Sequence, residues 1–337
     1  MRRVNIGIVA HVDAGKTSLT ERILFETNVI DKIGRVDEGN TQTDSLDLEK
    51  RRGITIKASV VSFFVQDLKI NLIDTPGHAD FIAEVERSFS VLDGAILVIS
   101  AVEGVQAQTK FLMTLLRKLG IPTIIFVNKI DRRGAQGHTL ITFIKERLTE
   151  SVIPLYTPEN LGTKQAFIIE KRLDKDPAFL KECIDLVTLN DELLQATYVN
   201  EEKLTEKQIK SALTSQILGA KLYPIFFGSA MTGVGVSELL TGVATFFPED
   251  TSLEDAPLSG VVFKIEKTPS GEKIAYVRVF SGSMQVRAYV PLRRRTDGGE
   301  IETHLDKVKE LHVFWEGKTV QSPKVGAGEF WAGFKVG

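Results

Sequence analysis

The chain has 337 residues, of which 43% are hydrophobic and 26% charged, and its formal net charge is −2. It is long for one domain and comfortable for two or three, and the near-balanced charge excludes a surface built as a whole for nucleic acid or anionic membrane. A single cysteine, Cys183, excludes an intramolecular disulfide, and no apolar run approaches the roughly 20 residues a membrane helix needs. A reducing, cytoplasmic setting is therefore expected, and no signal peptide, since a β-branched run starts at Val4.

That run, Val4 to Val9, reads as a strand, and Leu19 to Leu24 is spaced as a helix. Between them stands Ala10-His11-Val12-Asp13-Ala14-Gly15-Lys16-Thr17, with Ser18 opening the helix. Strand, glycine-bearing loop, Gly-Lys-Thr and helix form the context of a phosphate-binding loop, whose backbone N–H groups cradle phosphate oxygens at a helix N-terminus. Lys16 is placed to reach the β- and γ-phosphates and the Thr17 hydroxyl to ligate Mg²⁺. Ala10 departs from the strict pattern, which begins with Gly.

A polar stretch from Asp31 to Gly53 follows and reads as a loop, closing on Arg51-Arg52-Gly53-Ile54-Thr55-Ile56. Thr55 is a candidate to complete a Mg²⁺ shell when that loop closes. Strands are expected over 59–65 and 69–73, the second delivering Asp74-Thr75-Pro76-Gly77-His78 at its C-terminal end, where open α/β sheets bind ligands. Asp74 is placed to hold Mg²⁺ through water, the Gly77 N–H to bond a γ-phosphate and His78 to orient the attacking water. A near-continuous apolar strand over 94–99, a helix over 108–119 and a buried strand over 122–127 continue the alternation of a doubly wound sheet.

The last of these strands ends in Asn128-Lys129-Ile130-Asp131. The Asp131 carboxylate suits the N1–H and exocyclic amine of guanine, a pair adenine does not offer. Asn128 either bonds N7 or braces the phosphate loop, and the Lys129 stem lies over the base. The alternation then gives way, over about 134–221, to a charged and mostly helical insertion, and resumes at Tyr223 to Phe227. Gly228-Ser229-Ala230 follows, with Ser229 and Ala230 as further base contacts and the Ala230 N–H for the guanine O6. After an acidic, proline-flanked linker at 248–257, short strands with glycine turns (261–266, 274–280, 285–291) suggest an antiparallel barrel. Arg293-Arg294-Arg295 faces RNA or is a solvated strand end.

Together AHVDAGKT, RGITI, DTPGH, NKID and GSA resemble the translational GTPases, and the insertion between NKID and GSA resembles the elongation factor G branch. The connecting stretches TQTDSLDLEKRRGITI, SVLDGAILVISAVEGVQAQT and LGIPTIIFVNKID are most similar to tetracycline-resistance ribosomal protection proteins. The resemblance implies a P-loop GTPase domain over 1–250 followed by a β-barrel domain over 257–337, together an N-terminal fragment of a longer factor. It implies GTP/GDP and Mg²⁺ as cofactors, a monovalent cation (K⁺) at Asp13, and the ribosome as partner. His78 is then activated by ribosomal RNA and flanked by Val12 and Ile54 as an apolar gate. It also makes Ala10 an accepted variant. The expected protein is a monomer without DNA or membrane partners. Two alternatives stand beside ribosomal protection: a translocation factor of the elongation factor G type, and a GTP-loaded switch with little turnover.

Overall fold

The computed structural model describes residues 2–34, 59–74, 82–200, 203–247, 253–267, 271, 273–296 and 298–334. Thr55, Ile54, Gly77 and His78 lie outside them. Contacts divide the chain into two units, one of residues 6–59 and 72–248, the other of 1–5, 60–71 and 249–337.

A seven-stranded sheet is built from β1 (Arg2–Ala10), β2 (Ser59–Val65), β3 (Leu68–Asp74), β4 (Gly94–Ser100), β5 (Thr123–Asn128), β6 (Val152–Pro154) and β9 (Tyr223–Phe227). Its order is β2-β3-β1-β4-β5-β9-β6. The pairs β1·β4, β4·β5, β5·β9 and β6·β9 are parallel, as the runs of wholly apolar residues predict. Both faces are covered: β4 is buried at all seven positions, and helices Ala107–Lys118 and His138–Arg147 close one core through Leu112, Leu116, Leu140 and Ile144. The architecture is a mostly parallel sheet with helices on its faces, as the resemblance implies for residues 1–250.

The segment expected as a helical insertion is more varied than its composition suggests. Its first helix (138–147) packs on the central sheet, and β6 extends that sheet beyond β9. A hairpin of β7 (Tyr156–Glu159) and β8 (Phe167–Glu170) follows. Only Pro177–Leu189, Glu192–Val199 and Glu206–Leu218 are a separate helical layer, with a core of Phe179, Cys183, Leu186, Ile209, Leu213 and Ile217 against Ile153. Three residues of β6 are too few for a period to show, so charge content dominated the reading.

In the second unit every pair of C-terminal strands is antiparallel. One sheet has the order β10-β11-β18-β15-β16, formed by Ser259–Lys267, Lys273–Ser281, Phe330–Phe334, His312–Trp315 and Lys318–Gln321. Two ribbons complete it: β12 (Ser283–Gln285) with β17 (Lys324–Gly326), and β13 (Tyr289–Arg295) with β14 (Ile301–Lys307). The core joins Val277, Val279, Val290, Leu311, Val325 and Trp331. The expected strand 285–291 is broken at Arg287, whose φ of 73° turns the chain while its N–H donates to Val308 O. Residues near the N-terminus belong to this unit: Arg3 Nη1 donates to Ala327 O at 2.7 Å and Asn5 Nδ2 to Gly328 O at 3.2 Å. Among the described residues, no helix is long and apolar enough to cross a membrane.

Candidate functional site

The loop from His11 to Gly15 leaves β1 and enters a helix, α1 (Lys16–Glu26). Its shape depends on left-handed backbone at Asp13 (φ 65°) and Gly15 (φ 91°). A Cβ on Gly15 would stand 2.4 Å from Asn128 Nδ2, so space and conformation both require glycine there. No side chain caps α1, and its first turn holds no acidic residue, which leaves the positive helix end and its N–H groups for an anion. Lys16 and Thr17 are both buried, and the Lys16 ammonium donates to the carboxylate of buried Asp74 at the end of β3. Ser18 is half-buried behind them.

A second strand end closes on this loop. Asn128 Nδ2 donates to Ala14 O at 2.9 Å, and Asn128 Oδ1 accepts the Ala230 N–H at 3.0 Å. Of its two sequence readings, the bracing one is what the geometry displays. The Ala230 N–H, expected at a guanine O6, is here directed to Asn128. The Ile130 N–H donates to Gly228 O at 3.2 Å, tying the Asn128 and Ser229 loops together. Ser229 is fully buried, and its hydroxyl accepts the Thr232 N–H, so it shapes the turn.

Asp131 is held differently. Its Oδ1 is buried with no hydrogen-bond partner among the described residues, and Oδ2 lies 3.8 Å from Arg132 Nε. A buried carboxylate oxygen without a donor is costly, and a base edge offering N–H groups relieves that cost. Lys129, at φ 68°, directs its ammonium to both oxygens of Glu103, at 3.1 and 3.3 Å.

Residues 1–249 match the family described as the elongation factor Tu GTP binding domain. The chain belongs to that family. Among curated proteins it is similar to the oxytetracycline resistance protein of Streptomyces rimosus, 46% identical over 98% of this chain and 50% of that one. It is 44% identical to the tetracycline resistance protein TetP of Clostridium perfringens, over 97% of this chain and 49% of that one. With TetM of Streptomyces lividans the identity is 41%, over 100% and 53%. The chain thus spans about half the length of these relatives. A crystal structure of a Thermus thermophilus protein superposes with a TM-score of 0.81 at 24% identity, covering 99% of this chain and 52% of that one, which establishes the likeness of fold.

For this GTP-binding domain the structure adds residues that sequence reasoning missed. Arg22 on α1 donates from Nε to Ala230 O at 2.8 Å and from Nη2 to Met231 O, so the phosphate-loop helix clamps the Ser229 loop. Gln108 Oε1 accepts the Val12 N–H at 3.3 Å, and Thr109 Oγ1 lies 3.4 Å from His11 Nδ1. The Thr109 hydroxyl also accepts the Gln106 N–H at 3.3 Å. Burial depresses the His11 pKa and keeps the ring neutral. Val12 is exposed. A motif scan passes over Arg22 and Gln108, because nothing in their sequence neighbourhoods marks them. Thr109 carries one local signal, the reciprocal cap Gln106-x-x-Thr109.

Proposed function

We propose that this chain is the GTP-hydrolysing part of a ribosome-dependent factor that releases tetracycline from the ribosome, converting GTP and water to GDP and phosphate. The observation that carries the nucleotide part is the bare, buried Asp131 oxygen, three residues along the same strand-end turn from Asn128, which braces the phosphate loop. The names of the half-length-matched relatives support the resistance part.

In this reading the N–H groups of residues 13–18 and the Lys16 ammonium bind the phosphates, and Asp131 with the Ser229–Ala230 loop selects guanine. The donor set suits a hard cation such as Mg²⁺: the Thr17 hydroxyl stands one residue from Lys16, which itself touches the Asp74 carboxylate, and Thr55 would join them. Bound there, the ion would neutralise charge on the phosphate oxygens. Oxygen donors of the chain and of the phosphates would share the ion. Asp13, exposed at its left-handed position, is offered to K⁺. His78 orients the attacking water, and Gly77 bonds the γ-phosphate.

Single-turnover GTP hydrolysis with and without ribosomes tests the enzymatic reading, run on the full-length gene product and on this chain. Strong stimulation by ribosomes supports it, and binding without stimulated turnover makes the protein a switch. Tetracycline susceptibility of cells carrying the full-length gene separates resistance from translocation.

A further inference from the structure

Glu103 is a carboxylate that the motif reading left without a role. It stands in the turn after β4, where Ser100 pairs in register with Asn128 at the end of β5. That register sets the two strand-end turns side by side, with the Ala101 N–H donating to Asn128 O at 2.8 Å and the Gln136 N–H to Ala101 O at 2.9 Å. The turn is firmly shaped. Ser100 Oγ accepts the N–H groups of Val102 and Glu103 at 3.2 and 3.3 Å, and the Gly104 N–H returns to Ser100 O. The Gln106 side chain donates to Glu103 O.

From this backbone the Glu103 carboxylate takes the Lys129 ammonium on both oxygens. The far end of the Lys129 stem passes 4.0 Å from the point where a Cβ on Gly15 would stand. The stem therefore runs along the phosphate loop, between its glycine and the Glu103 turn. A lysine free in solvent samples many rotamers, and ordering it on ligand binding costs affinity.

We propose that Glu103 is a positioning residue for base recognition: it anchors the Lys129 ammonium so that the four-carbon stem is held in advance as an apolar wall for the purine ring. The inference rests on the guanine-nucleotide reading of the site. It places the work of Lys129 at the base, through its carbon chain, and assigns the ammonium to Glu103.

The test is a double-mutant cycle on GDP affinity, read with a fluorescent GDP analogue on wild type, Glu103→Gln, Lys129→Met and the double variant. Thermal unfolding of each nucleotide-free protein checks folding. The Glu103–Lys129 pair is partly exposed, so Glu103→Gln should weaken GDP binding by about three- to fivefold. In the Lys129→Met background, where an apolar stem remains without an ammonium to anchor, the further loss should be under about twofold. A non-hydrolysable GTP analogue should lose the same factor as GDP, because the effect sits at the base end. Equal losses in both backgrounds would overturn the inference and make Glu103 merely structural. Failure of the folded wild type to bind GDP would overturn the underlying guanine reading, and the inference with it.

Discussion

Asp131 and Gly15 are the two residues whose chemistry leaves least freedom. An Asp131→Asn change replaces an acceptor oxygen with an N–H₂ donor, which would face a guanine donor in the buried end of the site. Sites that hydrogen-bond a base edge reject mismatched partners strongly, so GTP affinity should fall by about 3 kcal/mol. Xanthine presents a carbonyl where guanine has its 2-amino group, so XTP affinity should rise, and ATP should stay excluded. Competition by the three nucleotides for a fluorescent probe reads this directly, and unchanged GTP affinity in the variant would remove Asp131 as base reader. Gly15→Ala acts by another route: its Cβ collides with the Asn128 amide, and its backbone sits at φ 91°. We expect a loss of about 1–3 kcal/mol in stability and at least tenfold in nucleotide affinity, measured by denaturant unfolding and titration.

At the scale of elements, the helical layer over 177–218 is a distinct core, and Cys183 is buried in it. Burial pushes the thiol from its ordinary 9.0 up to about 12. An acid whose folded pKa is raised contributes stability that is fully present below its unfolded pKa and lost as pH rises, here between about 9 and 12. At pH 8 the thiol should therefore react with a disulfide reagent at least about 100-fold more slowly than in denaturant, and only as the layer opens. The melting temperature should fall above pH 9, less so in Cys183→Ala. Fast labelling of the native protein at pH 8 would contradict the packing described for this layer.

For the whole molecule the proposed reaction divides labour between the chain and its activator. No arginine is marked in the sequence as a finger for the γ-phosphate, so hydrolysis by the isolated chain should be slow, on the order of 10⁻⁴ to 10⁻² s⁻¹. His78→Ala in the full-length protein should keep GTP affinity within about twofold while removing most ribosome-stimulated turnover, because a water-orienting side chain acts only when water attacks. Rapid-mixing hydrolysis assays alongside equilibrium binding separate the two effects. A parallel loss of affinity would give His78 a structural role instead.

The sequence by itself determined the fold class and the guanine-nucleotide candidate residues. Apolar runs such as 94–99 are long enough to show a doubly buried strand, and the phosphate-loop and Asn128–Asp131 motifs act through backbone and side chains close in sequence. The reading missed β6, whose three residues show no period, and the turn at Arg287, whose conformation comes from a hydrogen bond to Val308. Only the tertiary structure decided that Asn128 braces Ala14 and Ala230 at once, that Arg22 clamps the Ser229 loop, and that Glu103 holds Lys129. Those contacts join residues separated by 26 to 208 positions, and which distant polar groups meet is set by strand order and register, which local periodicity does not encode.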